Sequence, residues 1–345
     1  MKRHLIIGDI HGCYEELLQL IKIAGITEED MIVAVGDIID RGPDSVKVYD
    51  FFRNRPNSKV VMGNHERKHL NKVLHYGQEI VKLQFGDRYQ EFLDWAEQLD
   101  YYYEIPEAIV VHGGFENGIP LEEQKQEVLC ASTAGEKHLT KCYGTEQYWP
   151  EFYTGSKPII FGHHVVGEEA HIWPTNVYGI DTGACHGMRL TGILLPEFKI
   201  YSVPASCDYW DVERYKWQLP VLQHKTWSGF TFRKIEEELE PFRSSPRTDV
   251  TDFVEKMDKW IASLLVKTPE MLNSIQQKAV ALEHEHRENV NRVTHQLFYS
   301  SLIFAARKGS LNDQTLQQTL TTPEKWIQLA NELQIPVPTY ESVVN

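Results

Sequence analysis

Long apolar segments, paired cysteine motifs and an excess of basic residues are all missing from this sequence. No apolar run approaches the roughly 20 residues that cross a bilayer as a helix. Only Leu5, Ile6 and Ile7 stand between the basic start of the chain and Gly8, whereas a secretory signal needs an apolar stretch of about 7 to 15 residues. We therefore expect no membrane contact and no export.

The cysteines follow no regular spacing. There are five of them, an odd number, and none forms a C-x-x-C motif. A complete disulfide framework uses an even number of cysteines, and structural zinc sites typically use C-x-x-C pairs. Because free thiols persist in a reducing compartment, we expect a cytoplasmic protein.

Acidic residues outnumber basic ones, with 49 Asp and Glu against 35 Lys and Arg, which gives a formal net charge of -14. Proteins that bind polyanions present basic patches, so we expect no nucleic-acid polymer as a partner. The acidity does not exclude a small phosphorylated substrate, because bound divalent cations reverse the charge locally.

What the sequence does contain is a repeated strand-and-turn pattern. Short apolar runs that favour β-structure are each followed at once by a turn that carries oxygen or nitrogen ligands. The turns are Gly8-Asp9-Ile10-His11-Gly12, Gly36-Asp37-Ile38-Ile39-Asp40-Arg41-Gly42, Gly63-Asn64-His65-Glu66, His112-Gly113-Gly114 and Gly162-His163-His164. Because α/β folds gather the carboxyl ends of their parallel strands at one edge, we expect these side chains to converge.

The ligand types in these turns predict a metal site. Two aspartates, one asparagine and three histidines form a set without thiolate, which suits Mn, Fe, Zn or Ni better than Ca. Six ligands are too many for one catalytic ion that keeps open positions. A two-metal site with one bridging carboxylate is the natural interpretation, and such a pair can activate a nucleophile and hold a phosphoryl group.

The same residues resemble a known family. The five turns are similar to the signature blocks of the calcineurin-like metallophosphoesterases, in the phosphoprotein-phosphatase branch. That branch includes Ser/Thr protein phosphatases and the bacterial symmetrical dinucleoside tetraphosphatases. Gly179-Ile180-Asp181-Thr182-Gly183 followed by Arg189-Leu190-Thr191 adds a match to bacterial members. The resemblance covers residues 1–205, and we expect a bacterial protein.

Carried over position by position, the resemblance implies a role for each site residue. The first metal would take Asp9, His11 and Asp37, and the second would take Asp37, Asn64, His112 and His163. His65, paired with Asp40, would protonate the departing oxygen, since a carboxylate raises the basicity of an imidazole. Arg41 would hold phosphate oxygens through its planar fork of donors, and Asn64 would also be a substrate-binding residue.

One departure from the family concerns the phosphate clamp. Protein phosphatases use a further arginine before the last histidine-bearing strand, but residues 131–158 contain only Lys137, Lys141 and Lys157 as basic residues besides histidine. Lysine offers a point charge and no bidentate grip. Arg67 and Arg189 are the candidates to substitute as substrate-binding residues.

The fold class expected is α/β, a metallophosphoesterase-type sandwich of two sheets flanked by helices, with an α-helical C-terminal appendage. Residues 1–205 would form the catalytic domain, 206–247 an aromatic-rich connecting segment and 248–345 the helical region. The runs 177–180, 190–195 and 199–203 would complete the second sheet. In the helical region, helices are predicted over 251–266 and 269–308, and a last one begins at Thr322-Pro323-Glu324.

The predicted function is a metal-dependent phosphohydrolase in which a metal-bound hydroxide attacks a phosphomonoester, as in Ser/Thr protein phosphatases. A symmetrical dinucleoside tetraphosphatase is the alternative, and a non-catalytic phosphate-binding scaffold is a third. The cofactors would be two divalent ions, with Mn²⁺ first and Fe, Zn, Ni or Mg as other candidates. The partner would be a phosphoprotein or a nucleotide, while the C-terminal helices would bind a partner or form a dimer.

Overall fold

The structure, a computed structural model, describes residues 3–145 and 147–341. The chain divides into two compact units, Met1–Trp217 and Gln218–Asn345. This division lies inside the predicted connecting segment 206–247, and residues 1–2 and 342–345 at the ends of the predicted ranges lie outside the described residues. The three-part domain division itself stays a prediction.

The first unit contains two mixed β-sheets. Its strands are β1 His4–Ile7, β2 Met31–Ala34, β3 Ser58–Val60, β4 Tyr102–Glu104, β5 Ile109–Val111, β6 Ile159–Phe161, β7 His171–Trp173, β8 Val177–Gly179, β9 Arg189–Leu195 and β10 Lys199–Pro204. One sheet has the order β10-β9-β1-β2-β3, and the other has the order β4-β5-β6-β8-β7. Parallel pairing links β1, β2 and β3 in the first sheet and β5, β6 and β8 in the second.

The helices of the first unit mostly follow the strand ends. They are α1 Tyr14–Ile23, α2 Ser45–Asn54, α3 Asn64–Leu70, α4 Tyr76–Phe85, α5 Tyr89–Ala96, α6 Gln126–Leu129, α7 Thr133–Tyr143 and α8 Tyr209–Lys216. Parallel strands need a crossover, and α1 and α2 provide it between β1, β2 and β3. Glu15 and Glu16 stand in the first turn of α1, where they interact favourably with the helix dipole.

Side chains on β1 show the layered arrangement directly, because neighbouring residues of a strand point to opposite faces. Leu5 and Ile7 pack with Leu17 and Leu20 of α1 on the helix-covered face. Ile6 packs into a separate buried cluster that contains side chains from both sheets, among them Val33, Val110, Ile160 and Ile193. The predicted sandwich of two sheets with flanking helices is therefore confirmed.

The assignment of the last strands to the second sheet was wrong for two of them. β9 pairs antiparallel with β1, and β10 pairs with β9, so both belong to the first sheet. Only β8, at 177–179, joins the second sheet. β9 supplies the antiparallel neighbour of β1, with Leu5 opposite Leu194, and its Ile193 and Leu195 enter the cluster between the sheets beside Ile6.

The second unit is helical and has its own apolar core. Its helices are α9 Gln218–His224, α10 Phe232–Leu239, α11 Thr248–Leu265, α12 Thr268–Glu285, α13 Val290–Thr294, α14 Ser300–Arg307, α15 Asp313–Thr319, α16 Pro323–Glu332. Its core contains Trp227, Trp260 and Trp326, each buried. The predicted C-terminal helical region is thus present.

Two details of the helical predictions had different outcomes. The long helix expected over 269–308 is interrupted: α12 ends at Glu285, α13 begins at Val290, and α14 begins at Ser300. The polar run 286–289 offers no apolar side chain to the core, so nothing favours helix continuation there. The start of α16 is confirmed, because Thr322 caps it by accepting from the Lys325 N–H at 3.3 Å.

The segment 206–247 is shared between the units. Tyr209 of α8 donates its hydroxyl to Glu16 of α1 at 2.8 Å, within the first unit. Trp227 and Ile235 lie in the core of the second unit. Tyr209 therefore binds within the first unit and Trp227 packs within the second.

Two further expectations concern the whole chain. All five cysteines are free, in agreement with the absence of paired spacing. In the part of the chain that the structure describes, no helix combines the length and apolar character needed to cross a membrane.

Candidate dinuclear metal centre

The predicted ligands converge around the carboxylate of Asp37. They follow the carboxyl ends of β1, β2 and β3 in the first sheet and of β5 and β6 in the second. Asp37 Oδ2 lies 3.4 Å from His112 Nε2 and 3.7 Å from His11 Nε2. Ligands from both sheets therefore meet at one point, as the strand-and-turn pattern predicted.

One donor group consists of Asp37, Asn64, His112 and His163. The side-chain oxygen of Asn64 lies 2.9 Å from His112 Nε2 and 3.0 Å from His163 Nδ1. Asp37, His112 and His163 have ligand atoms mutually close enough for a single ion. These are the residues that the sequence assigned to the second metal.

The other donor group shares Asp37. His11, Asp37 and His65 place ligand atoms close enough for one ion, and Asp9 Oδ2 lies 4.0 Å from His11 Nε2. The sequence named Asp9, and not His65, as the third ligand here. Both residues are within reach, so the ligand roles of this group stay predictions.

The hydrogen bonds of the histidines fix which ring nitrogen faces the centre. His11 Nδ1 lies 2.7 Å from the Ile39 carbonyl and His112 Nδ1 lies 3.1 Å from the Val35 carbonyl. A carbonyl only accepts, so these Nδ1 atoms carry protons, and each Nε2 faces Asp37. This outer contact is the usual support for a metal-binding imidazole.

His163 uses the opposite tautomer. Its Nε2 contacts Glu136 at 2.9 Å, which leaves Nδ1 toward the Asn64 amide. Glu136, at the first turn of α7, therefore orients His163 through a carboxylate–imidazole pair. Glu136 is not among the site residues predicted from the sequence, because α7 lies outside the ligand turns.

The two possible orientations of the Asn64 amide bear on whether these residues suit a cation. With its oxygen inward, Asn64 faces Asp37 Oδ2, His112 Nε2 and His163 Nδ1, which all act as acceptors when the two imidazoles are neutral. Turned over, its NH₂ would donate to those atoms at 3.0, 2.9 and 3.0 Å, and its oxygen would accept from Lys68 at 3.2 Å. Three acceptor atoms converge either way, and oxygen and imidazole donors are those that Mn, Fe and Zn prefer. The residues therefore fit a divalent ion.

The pKa values of the buried acidic groups and of His112 are shifted in different directions. Burial by itself would raise the pKa of Asp37, but the imidazoles of His112 and His65 hold that pKa well below its usual range. Burial also disfavours the charged form of His112, yet Asp37 raises the pKa of His112 to about 9. Burial, and next the neighbouring Asp181, raise the pKa of Asp9 well above its usual value. Binding of a cation would thus displace protons.

The ligand turns adopt backbone conformations that are uncommon for residues other than glycine. His11, Asp37, Asp40, Arg41 and His163 have φ angles of 45°, 48°, 70°, 65° and 64°. Such left-handed residues cost energy and concentrate at functional sites. Tight turns of this kind allow carboxylates, imidazoles and a guanidinium to leave the strand ends toward one centre.

Glu66 holds the turn that contains Asp37. It is fully buried, and its carboxylate accepts from the backbone N–H groups of Asp37 at 2.9 Å, Ile38 at 3.0 Å and Gly63 at 3.2 Å. Burial raises the pKa of Glu66 to about 8, with Asp37 as a further cause. Glu66 belongs to a predicted motif without a predicted role, and in the structure it joins two ligand turns.

His65, Asp40 and Arg41 lie beside the centre as expected. His65 Nδ1 donates to Asp40 Oδ2 at 2.5 Å, so Nε2 faces the cleft. Arg41 reaches His65 Nε2 at 3.2 Å and His11 Nε2 at 3.0 Å. Burial is the main cause that lowers the pKa of His65, and the carboxylates of Asp37 and Asp40 oppose it.

The centre opens into a cleft of about 620 Å³. Asp37, Asn64, His65 and His163 form part of its wall, together with Arg41, Arg67 and Lys68. Arg67 donates to Glu127 at 2.7 Å. Lys68, which was not among the predicted site residues, lies near the Asn64 amide. Three basic residues therefore line the same cleft as Asn64, where a phosphate would bind.

Arg189 is placed differently. Its guanidinium donates to Ser202 Oγ at 2.9 Å and to the Ser202 carbonyl at 3.2 Å, across the β9–β10 ladder. Its predicted contact with substrate has no support from these hydrogen bonds and stays a prediction.

The aromatic residues of the 143–153 region pack into the protein. Trp149 and Tyr153 are buried with Phe161 on the outer face of the second sheet. Trp149 Nε1 donates to the Gly113 carbonyl at 3.0 Å. These side chains support the loop that carries His112 and Gly113.

Fold and site together define a metal-dependent phosphoester hydrolase. The chain belongs to the calcineurin-like phosphoesterase family, whose model matches residues 2–186. The resemblance stated from the sequence is therefore confirmed.

Two curated relatives are bis(5'-nucleosyl)-tetraphosphatases named PrpE and described as asymmetrical. The protein from Bacillus cereus (strain Q1) is 30% identical over 236 residues, which cover 59% of this chain and 95% of the relative. The protein from Anoxybacillus flavithermus is 30% identical over 235 residues, with the same coverage of both chains. A solved metallophosphoesterase from Sphaerobacter thermophilus is 16% identical, covers 60% of this chain and 88% of its own, and has a TM-score of 0.39.

We predict that Gly162→Ala removes metal from the centre. A Cβ at this position would lie 2.0 Å from Asp9 Oδ1 and 2.5 Å from Val35 Cγ2, so Asp9 must move. Metal per chain, measured by inductively coupled plasma mass spectrometry, should fall by about one ion while the fold persists by circular dichroism. Gly229→Ala is the matched control, since a Cβ there meets nothing within 4 Å. Unchanged metal content in Gly162→Ala would contradict the placement of Asp9.

We predict that affinity for Mn²⁺ rises with pH up to about 9. His112 has a pKa of about 9 and must release its proton to bind the ion, so below that value a proton competes with the metal. Each unit of pH should change the affinity by up to about tenfold per proton released. Isothermal titration calorimetry in buffers of different ionisation enthalpy measures both quantities. Affinity independent of pH between 6 and 9 would show that no such proton is displaced.

Proposed function

We propose that this protein hydrolyses a phosphate anhydride or ester at a dinuclear metal centre, with a dinucleoside polyphosphate as its substrate. The observation that carries the proposal is the pair of donor groups that share Asp37 at the wall of an open cleft. Two ions at such a site can stabilise both the attacking and the leaving oxygen of an in-line displacement. We propose Mn²⁺ as the first ion to test.

The side chains of the cleft supply the remaining parts of the reaction. Bound divalent ions would activate water and neutralise phosphate charge. Arg41 directs its guanidinium toward the imidazoles of His11 and His65, so it can hold phosphoryl oxygens at that point. His65, with Nδ1 tied to Asp40, presents Nε2 to the cleft, and in its imidazolium form it can give the Nε2 proton to the leaving oxygen.

The choice of substrate follows from the curated relatives and from the charge of the cleft. Both relatives described above are named as asymmetrical tetraphosphatases of dinucleosides. Arg67 and Lys68 add positive charge beside the centre, which suits a substrate with several linked phosphates. Our proposal therefore places a dinucleoside polyphosphate ahead of the phosphoprotein that the sequence analysis placed first. Asymmetrical cleavage of diadenosine tetraphosphate would give ATP and AMP, and symmetrical cleavage would give ADP alone.

Other parts of the sequence-based hypothesis have no direct test. The cytoplasmic location and the role of the C-terminal helices, as a partner surface or a dimer contact, stay predictions. The non-catalytic scaffold is disfavoured because phosphate binding alone does not need His65 and Asp40 in hydrogen-bond contact beside the ligands.

We predict that the purified full chain with Mn²⁺ hydrolyses diadenosine tetraphosphate faster than a phosphoserine peptide. Nucleotide products separated by anion-exchange chromatography identify the bond that is cleaved. Apo protein treated with a chelator should be inactive and should recover on addition of Mn²⁺. Faster turnover of the phosphopeptide would reverse our order of substrates, and no turnover of any phosphate ester would support the scaffold.

We predict that His65→Asn lowers kcat by about 100-fold or more, as expected for loss of a general acid, without loss of bound metal. The readouts are steady-state kinetics and metal content per chain. Equal loss of metal and activity would instead identify His65 as a ligand, which its distance of 3.8 Å from Asp37 Oδ2 also permits.

A further inference from the structure

A second histidine lies behind the His65–Asp40 pair. His69 stands four residues after His65 on α3, so both side chains project from the same face of the helix. His69 Nε2 lies 2.9 Å from Asp40 Oδ1, while His65 Nδ1 lies 2.5 Å from Asp40 Oδ2. Each oxygen of Asp40 is thus assigned to one imidazole of α3.

The contacts of His69 define its tautomer. Its Nδ1 lies 2.8 Å from the hydroxyl of Tyr89 on α5. Since the Asp40 carboxylate only accepts, Nε2 carries the proton, and Tyr89 donates to Nδ1. The donors therefore run in one direction, from Tyr89 through His69 to Asp40, an order in which successive hydrogen bonds strengthen one another.

This chain of contacts is enclosed. Asp40 has no exposed surface and His69 has 1%. The ring of His69 packs edge-on against Phe92 and Tyr89, with centroid separations of 5.6 and 5.7 Å. Gln78 of α4 donates to Asp40 Oδ2 at 2.5 Å. Buried polar groups satisfied in this way hold a single geometry.

We propose that His69 is a positioning residue for proton donation by His65, acting through Asp40. By holding Oδ1, His69 sets the plane of the carboxylate, and Oδ2 then fixes the ring of His65 with Nε2 toward the cleft. The inference rests on the proposed function, because it needs a leaving oxygen that takes a proton. A histidine that only fills the core would affect stability and leave the chemistry unchanged.

The consequence is a dependence on the leaving group. A strongly basic leaving oxygen needs a proton in the transition state, whereas a weakly basic one departs without it. Loss of His69 should therefore slow phenyl phosphate hydrolysis more than 2,4-dinitrophenyl phosphate hydrolysis. Loss of a supporting hydrogen bond of this kind costs about 10-fold to 100-fold.

The test uses the full chain loaded with Mn²⁺ and both aryl phosphates. His69→Phe keeps a ring against Phe92 and removes both hydrogen bonds. We expect kcat for phenyl phosphate to fall about 10-fold to 100-fold, kcat for the dinitrophenyl ester to fall less than about threefold, and KM and metal content to stay unchanged. His69→Gln restores a donor toward Asp40 and should recover part of the loss. His171→Phe, on β7 and exposed, is the control with unchanged kinetics.

Tyr89→Phe provides a second test that keeps His69 in place, and it decides the matter if His69→Phe does not fold. It should produce a smaller loss with the same dependence on the leaving group. Equal losses on both esters, or no loss on either, would overturn the role of His69. An inactive wild-type protein would instead contradict the proposed function, so the two failures are distinguishable.

Discussion

The buried negative charge of Asp37 is the constraint on which the rest of the site depends. A carboxylate removed from water is stable only where cations, imidazoles or N–H groups compensate it. Asp37 Oδ1 accepts from the backbone N–H of His65 at 2.9 Å. Its Oδ2 faces the imidazoles of His11, His65 and His112. Glu66 adds a second buried carboxylate that binds the same turn. The left-handed residues in the ligand turns allow these groups to approach one another from separate strand ends.

Much of the first unit could be predicted because its local pattern and its tertiary structure agree. Apolar runs followed by a turn with a ligand residue predicted where the strands end. The ends of β1, β2, β3, β5 and β6 do converge. The division of strands between sheets could not be predicted, because the sequence of a run such as 190–195 does not indicate which strand it pairs with. In the second unit, helical period was visible, but the interruption after Glu285 depends on which residues reach the core.

The supporting residues of the site were harder to find than the candidate ligands. Glu136 and Gln78 lie on α7 and α4, helices whose approach to the centre depends on tertiary packing. His69 is different, because its spacing of four from His65 places both on one face of a helix once α3 is recognised. That local signal was available in the sequence and was missed. Arg189 shows the reverse case, a plausible basic residue whose hydrogen bonds go to the neighbouring strand.

The origin of the ligands in two separate sheets has a mechanical consequence. Asp9, His11, Asp37 and Asn64 follow strands of the first sheet, whereas His112 and His163 follow strands of the second. A cation bound by ligands of both sets would link the two sheets, in addition to the apolar cluster that lies between them. Since an ion that binds only the folded form adds its binding free energy to folding, resistance to heat would become a function of free metal concentration. Catalytic activity and thermal stability would then both depend on the same ion.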